Sequence, residues 1–404
     1  MHVKKNRTLY YSFILPAILS CTMSMAQNTV DAVVQSFTNY NTKNLQEKLF
    51  VHTGKNFYMA GEIIWFKVYA ADAALNQPLD LSKLCYVELL NKDHKPVLQA
   101  KIAMTDGSGN GSFQLPYSVN SGNYMLRAYT NWMKNAGADL FFEKNITIVN
   151  ALRKPDWPAA DIPVDYDVQF FPEGGNLVNG IQSKVAFRIV DMHGKSLDCS
   201  GEVLNQRNET IAKFTTLRFG MGYFDLTPAS GDQYHSVIKT AAGMITKVLP
   251  VISSSGIVMR INEAANDRLN ILIQSNTTDP SISLFVHTRQ LPKLAMTKEL
   301  VNGNAEIMID KKELGDGISQ LTVFNASGQP VCERMYFKKP VNAMSVAILP
   351  DAQNYGTRKK VTINLSTTNE KAQPVGGDLS MSVYLLDSLQ TSGSADIQSW
   401  LWLQ

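Results

Sequence analysis

The run Asp106-Gly107-Ser108-Gly109-Asn110-Gly111 places oxygen-bearing side chains at alternate positions with a glycine sixth, the layout of the first half of a calcium loop. The twelfth position is Tyr117, so the bidentate carboxylate that closes such a site is missing. A turn rich in Gly and Asn, joining two strands, is the expected reading. Zinc requires His or Cys at short spacings. His52, His94, His193, His235 and His287 each stand with no other His or Cys two to five residues away, so neither a metal nor a cofactor is expected. A serine or cysteine nucleophile needs a base and an oxyanion donor, and no G-x-S-x-G elbow occurs. Ser253-Ser254-Ser255-Gly256 reads as a polar linker, and the chain is expected not to be an enzyme. Trp65, Tyr69, Tyr124, Tyr129 and Trp132 cluster early and raise a glycan-binding reading. Alternate positions on sandwich strands normally face a core. Trp132 and Trp157, in turn and linker sequence, are therefore the aromatic residues expected at the surface, as a candidate interaction surface or domain-interface anchors.

The elements that would position these residues are β-strands. Glu47 to His52 is a short apolar run, Thr53 to Gly61 is a turn, and Glu62 to Tyr69 is strongly β-prone. Strand signals follow at 84–91, 97–104, 111–115, 123–130 and 141–149, which makes seven short strands separated by Gly, Asn and Asp turns, as in an immunoglobulin-like sandwich. Pro155, Pro158 and Pro163 mark a linker over 153–163. The pattern returns at Asp167, with Val185, Phe187 and Ile189 alternating along a strand, and at 317–339, where two strands flank a turn at Asn325 to Gly328. It returns again beyond Val341, with Val361, Ile363 and Leu365 on one face. A supersecondary unit recurring at roughly 90 to 110 residues is an array of domains and excludes a solenoid of short repeats. The expected organisation is a sandwich over 46–152, a second over 164–255, a third over 256–340, and the start of a fourth, truncated, over 341–404. Trp400-Leu401-Trp402-Leu403 is an apolar patch that needs burial, from which a fragment of a longer protein is expected.

Residues 1–26 look like an export signal. Lys4, Lys5 and Arg7 precede an apolar stretch from Leu9 to Leu19, and Ser24-Met25-Ala26 supplies small residues for cleavage between Ala26 and Gln27. The apolar run falls short of the roughly 20 residues that span a bilayer. A rival reading makes Ile18-Leu19-Ser20-Cys21 a lipobox with Cys21 lipidated. The first three basic residues supply the whole formal charge of +3, so nothing in the remainder suggests a nucleic-acid or anionic-membrane footprint. Cys85, Cys199 and Cys332 are scattered about one per domain, which suits buried core residues better than a disulfide framework. Val30, Val33, Val34, Phe37 and Tyr40 read as a short helix over 27–45 or as a loosely packed leader to the first sandwich.

Three stretches share one resemblance. V-H-T-G-K followed by Y-x-x-G-E and I-x-F-K-V (51–68), Phe170-Phe171-Pro172-Glu173-Gly174-Gly175, and Cys332-Glu333-Arg334-Met335-Tyr336-Phe337 resemble domain openings and a closing strand of the α2-macroglobulin and complement family. The variants are most similar to macroglobulin-like envelope proteins of Bacteroidetes, some of which carry a TonB-receptor plug. The resemblance implies tandem antiparallel β-sandwiches, an all-β fold. It also implies a protein-binding scaffold exported to the periplasm, the outer membrane or the medium, with an outer-membrane receptor or a protease as the expected kind of partner and any membrane association made through a partner or a missing C-terminal region. The family's thioester run, G-C-G-E-Q, is absent, which puts an inherited protease-inhibitor role in doubt. A protease-interacting protein without a thioester and a glycan-binding module remain the alternative readings.

Overall fold

The computed structural model describes residues 30–154, 166–191, 194–240, 243–341, 344–385 and 396–403. The chain is all-β apart from short helices, and it divides into two compact units, one holding residues 1–43 and 159–338, the other 44–158 and 339–404. Along the chain, helix α1 (30–43) comes first. The first sandwich follows, with β1 (Glu47–Thr53), β2 (Phe57–Met59), β3 (Ile63–Asp72), β4 (Leu84–Leu90), β5 (Pro96–Ala103), β6 (Ser108–Gln114), β7 (Gly122–Thr130) and β8 (Phe142–Val149). The second contains β9 (Tyr166–Pro172), β10 (Leu177–Val178), β11 (Ser183–Asp191), β12 (Ser200–Leu204), β13 (Thr210–Thr215), β14 (Met221–Leu226), β15 (His235–Thr240), β16 (Gly243–Val248) and β17 (Ile252–Ser253). The third contains β18 (Ile257–Ala264), β19 (Arg268–Ser275), β20 (Ser281–Thr288), β21 (Leu291–Glu299), β22 (Asn304–Asp310), β23 (Gly317–Phe324) and β24 (Pro330–Lys338). Two further strands, β25 (Ser345–Pro350) and β26 (Ile363–Thr368), precede helix α2 (Ile397–Leu403).

In the first sandwich the sheet β1-β3-β6 faces the sheet β2-β8-β7-β4-β5. Its core follows from strand alternation: Ile64, Phe66 and Val68 of β3 point inward, as do Val87 and Leu89 of β4 and Leu126 and Ala128 of β7. The turn after β1 is not structureless, since β2 lies within it and pairs in parallel with β8. Its motif residues close the loop: Lys55 Nζ pairs with Glu62 at 2.8 Å, and Lys55 N donates to the hydroxyl of buried Tyr58. The calcium-like run is a two-residue hairpin turn. Asp106 and Gly107 take positive φ between Thr105 and Ser108, which exchange backbone hydrogen bonds, and β6 begins at Ser108, three residues before the expected strand. An extended strand from Ser108 onward cannot wrap its side chains around an ion.

The second sandwich opposes β14-β11-β9 with β13-β12-β15-β16, and buries Val185, Phe187 and Ile189 as their alternation requires. The third opposes β18-β19-β22 with β21-β20-β23-β24. Ile282, Leu284 and Val286 of β20 fill its core. The opposite face of β20 is covered as well: Phe37 of α1 meets the Phe285 ring edge-on at 5.0 Å and lies 4.7 Å from His287, and Asn41 Nδ2 donates to the carbonyl of Gln290. The leader helix is thus packed on the third sandwich.

Two of the motif stretches meet where the second and third sandwiches join. Arg334 on β24 pairs with Glu173, just after β9, at 2.9 Å, and the Glu173 side chain is only 3% exposed. Gly174 takes φ +85°, and a Cβ there would lie 2.6 Å from Cys332 Sγ, so the position requires glycine both for its conformation and for the space. Val178, Ile181 and Val258 form a small apolar cluster beside the joint. Ser253 to Gly256 is not a free linker: β17 pairs with β10, Asn276 Nδ2 donates to the carbonyls of Asn179 and Ser254, and its Oδ1 accepts from Gly256 N. The thiol of Cys332 is sealed beneath this turn, and burial pushes it up to about 12; Cys85, in the first core, is likewise pushed up to about 12. Cys85, Cys199 and Cys332 are all unbridged.

Arg334→Met leaves the Glu173 carboxylate buried without its cation and is expected to cost about 3 kcal/mol. Urea unfolding of Arg334→Met against Glu173→Gln/Arg334→Met reads the effect, with the double variant recovering most of the loss. Equal losses in the two would show that the pair is not its source.

Candidate functional site

A cavity of about 600 Å³ lies against β1 of the first sandwich, lined by outward residues of β1 and β3 and, from the inward side, by Thr53 and Lys144, within the unit that holds residues 44–158 and 339–404. Strand alternation presents His52 of β1 and Lys67 and Tyr69 of β3 on the outer face, with His52 directly opposite Lys67 in the register. The chain returns across them at 378–380. His52 Nδ1 lies 2.6 Å from Ser380 Oγ, the Tyr69 hydroxyl lies 2.8 Å from the same oxygen, and Lys67 pairs with Asp378. Hydrogen bonds from Lys67 and Ser108 hold the Asp378 carboxyl below the usual carboxylate range. Burial, assisted by the nearby Lys144 ammonium, lowers His52 below the ordinary histidine value, which favours the neutral ring. In the tautomer protonated at Nε2, Nδ1 accepts from Ser380, and Ser380 accepts from Tyr69. This chain of hydroxyl and imidazole groups fastens a segment more than 300 residues away in sequence onto the first sandwich.

The far side of the cavity is closed by α2, whose Leu401 carbonyl accepts from Lys48 Nζ at 3.1 Å and from Asn76 Nδ2 at 3.1 Å. Trp400 packs against the first core, with its ring 4.7 Å from Phe142 in an edge-on contact. The apolar patch at 400–403 is therefore partly buried within this unit. Upstream of α2, β25 and β26 pair with each other, yet Val361 and Leu365 are exposed and neither strand carries a buried residue.

Lys144 is the residue that sequence reasoning missed. In β8 the inward row is Phe142, Lys144, Ile146 and Ile148, so an ammonium occupies a position that its neighbours fill with hydrocarbon. Its Nζ donates to Thr53 Oγ1 at 2.7 Å, and burial lowers it to about 8. The signal was present in F-E-K-N-I-T-I-V, where the polar residue falls on the apolar parity.

The aromatic residues separate. Trp132 is 41% exposed, and its indole N–H donates to the carbonyl of Leu45 at 2.7 Å. Trp157, Ala26 and Gln27 lie outside the described residues. Tyr124 is buried as expected, whereas Trp65 is 64% exposed. Parity places Trp65 on the outer face of β3, opposite Ser112 of β6, where no second layer covers it. Tyr129 stacks between Tyr86 (5.4 Å) and Phe141 (4.6 Å), with Lys134 Nζ 5.1 Å from both tyrosine rings. Among the described residues, no group of three or more His, Cys, Asp or Glu could hold a metal ion.

No family model and no curated protein matches this chain. Among solved structures it is similar to trypsin-activated alpha-2-macroglobulin from Escherichia coli, at 10% identity and a TM-score of 0.24, covering 79% of this chain and 26% of that one. Salmonella alpha-2-macroglobulin reacted with methylamine gives 11% identity and a TM-score of 0.22, over 80% of this chain and 25% of that one. An I-band fragment from titin gives 10% identity and a TM-score of 0.17, over 69% of this chain and 93% of that one. The chain spans about a quarter of the length of those macroglobulins. Overlap at this level carries no argument about activity or partners, and the all-β assignment stands on the strand pairing above.

Because Lys144 binds its proton less tightly folded than unfolded, the folded protein is penalised fully below pH 8, and the penalty fades as pH rises from about 8 to 10.5. Relative to Lys144→Met, the wild-type protein is expected to gain on the order of 1–2 kcal/mol across that window, since half-burial leaves the amine partly screened. Chemical unfolding of both proteins at pH 7.5, 9 and 10.5 measures it; a difference that does not change with pH overturns the assignment.

Proposed function

We propose that this chain is a non-catalytic, macroglobulin-like scaffold exported to the cell envelope, where it holds protein partners. The observation that carries the reading is how the motif residues are used. Lys55 and Glu62 close a loop of the first sandwich, while Glu173, Gly174, Cys332 and Arg334 join the second sandwich to the third. The residues that carry the resemblance are thus committed to building sandwiches and fixing one against the next. Two sandwiches joined through a buried ion pair, an apolar cluster and a paired connecting strand suit a part that keeps binding surfaces at a set spacing. No helix among the described residues is long and apolar enough to cross a membrane. Attachment to the envelope is proposed through a partner or through a further C-terminal region, as the resemblance implies.

Cell fractionation followed by cross-linking on the full-length protein tests the proposal. The expected result is recovery in the envelope fraction with one or a few discrete protein adducts. Recovery in the cytoplasm, or an absence of adducts, overturns it. Limited digestion by unrelated proteases separates this reading from a protease trap. A scaffold is cut slowly and diffusely, whereas one preferred cut in an exposed segment, followed by retention of the protease, would mark an inhibitor.

A further inference from the structure

The ammonium of Lys144 is unusual in its surroundings. It occupies the inward row of β8 beside Phe142 and Ile146, lines the cavity on the first sandwich, and makes one hydrogen bond, to Thr53 Oγ1 at 2.7 Å, with three donors to satisfy. Thr53 is itself buried, and its hydroxyl is also used toward the carbonyl of Lys55 at 2.9 Å. Among the described residues no carboxylate pairs with Lys144, and every other charged group that lines the cavity has a different neighbour or setting. Lys55 pairs with Glu62, Lys67 with Asp378, and Lys48 donates to the Leu401 carbonyl. Asp396 accepts from Ser399 at the start of α2, Asp106 belongs to the hairpin turn, and His52 meets Ser380. A half-buried cation without a counter-ion is costly, and a ligand anion removes that cost. The rest of the lining includes hydrocarbon from Phe50, Met344, Leu379, Ile397 and Leu401.

We propose that this cavity binds a carboxylate-ended ligand with an apolar body, Lys144 holding the carboxylate and Thr53 positioning the ammonium. About 600 Å³ accommodates a chain of eight to ten carbons or the last two or three residues of a peptide. A free alkyl carboxylate and a peptide C-terminus share this chemistry, and the experiment separates the two sources. The site does not depend on where the chain is exported or on which protein it holds.

Isothermal titration of the full chain with octanoate and with octanol reads the charge contribution directly. Octanoate is expected to bind about tenfold tighter, the effect of one charge-assisted hydrogen bond in a partly buried site. Lys144→Met removes the preference, and Lys144→Arg retains part of it. A parallel titration with an N-acetylated tripeptide ending in free leucine, against its C-terminal amide, identifies the source. A preference for the free-acid peptide above that for octanoate assigns a peptide C-terminus, and the reverse assigns an alkyl acid. Equal binding of octanoate and octanol by the wild-type protein, no binding of either, or an undiminished preference in Lys144→Met overturns the proposal. The wild-type comparison decides the matter even if Lys144→Met fails to fold.

Discussion

The buried carboxylate of Glu173 is the constraint around which the unit of residues 159–338 is arranged. An ionised side chain 3% exposed to solvent is tolerable only with a cation held against it, and that cation, Arg334, stands on the last strand of the next sandwich. The geometry that brings them together fixes the rest of the joint. Pro172 ends β9, Gly174 turns at positive φ where a side chain would strike Cys332, and the parallel pairing of β10 with β17 ties the connecting segment down. Hydrophobic burial within each sandwich supplies most of the driving force for folding, but it does not orient one sandwich against another. A buried ion pair does, because few arrangements bring both charges together.

The first sandwich solves a different problem with the same materials. Its inner rows are filled by alternating hydrocarbon, and its outer face carries His52, Lys67 and Tyr69, which receive Asp378 and Ser380. Helix α2 then shields part of the remaining apolar surface through Trp400. What is left is a cavity lined by hydrocarbon and by polar side chains, in which the Lys144 ammonium pairs with no carboxylate among the described residues. Trp65 stays outside that cover, and Tyr86, Tyr129 and Phe141 stack on the outer face of the opposite sheet. The face bearing His52 is thus already engaged, whereas the aromatic surfaces near Trp65 and Trp132 are not enclosed.

Much of this architecture was legible in strand periodicity. Alternation in Ile64-Phe66-Val68 and in Val185-Phe187-Ile189 named the inward rows, and turn residues such as Asp106-Gly107 and Asn325 to Gly328 marked the hairpins between strands. The same alternation misled at Trp65, since it assigns a residue to one of two faces without saying which face is covered. It was silent about β2, which is too short to show a period and exists because β8 offers an open edge. The helical spacing of Val30 to Tyr40 located α1 but not its destination on β20.

By itself the sequence determined the fold class, the positions of most strands, the absence of a thioester run, and the parity that sets Lys144 among inward-facing residues. These are local properties, carried by side-chain period and by turn chemistry over a few residues. Only the tertiary structure decided that Glu173 meets Arg334, that Ser380 reaches His52, that α1 covers the third sandwich, and that Lys144 opens onto a cavity while pairing with no carboxylate among the described residues. Each of these joins residues well over 90 positions apart or depends on what covers a face. Such contacts are selected by packing and charge satisfaction across the folded chain, and no local pattern records them.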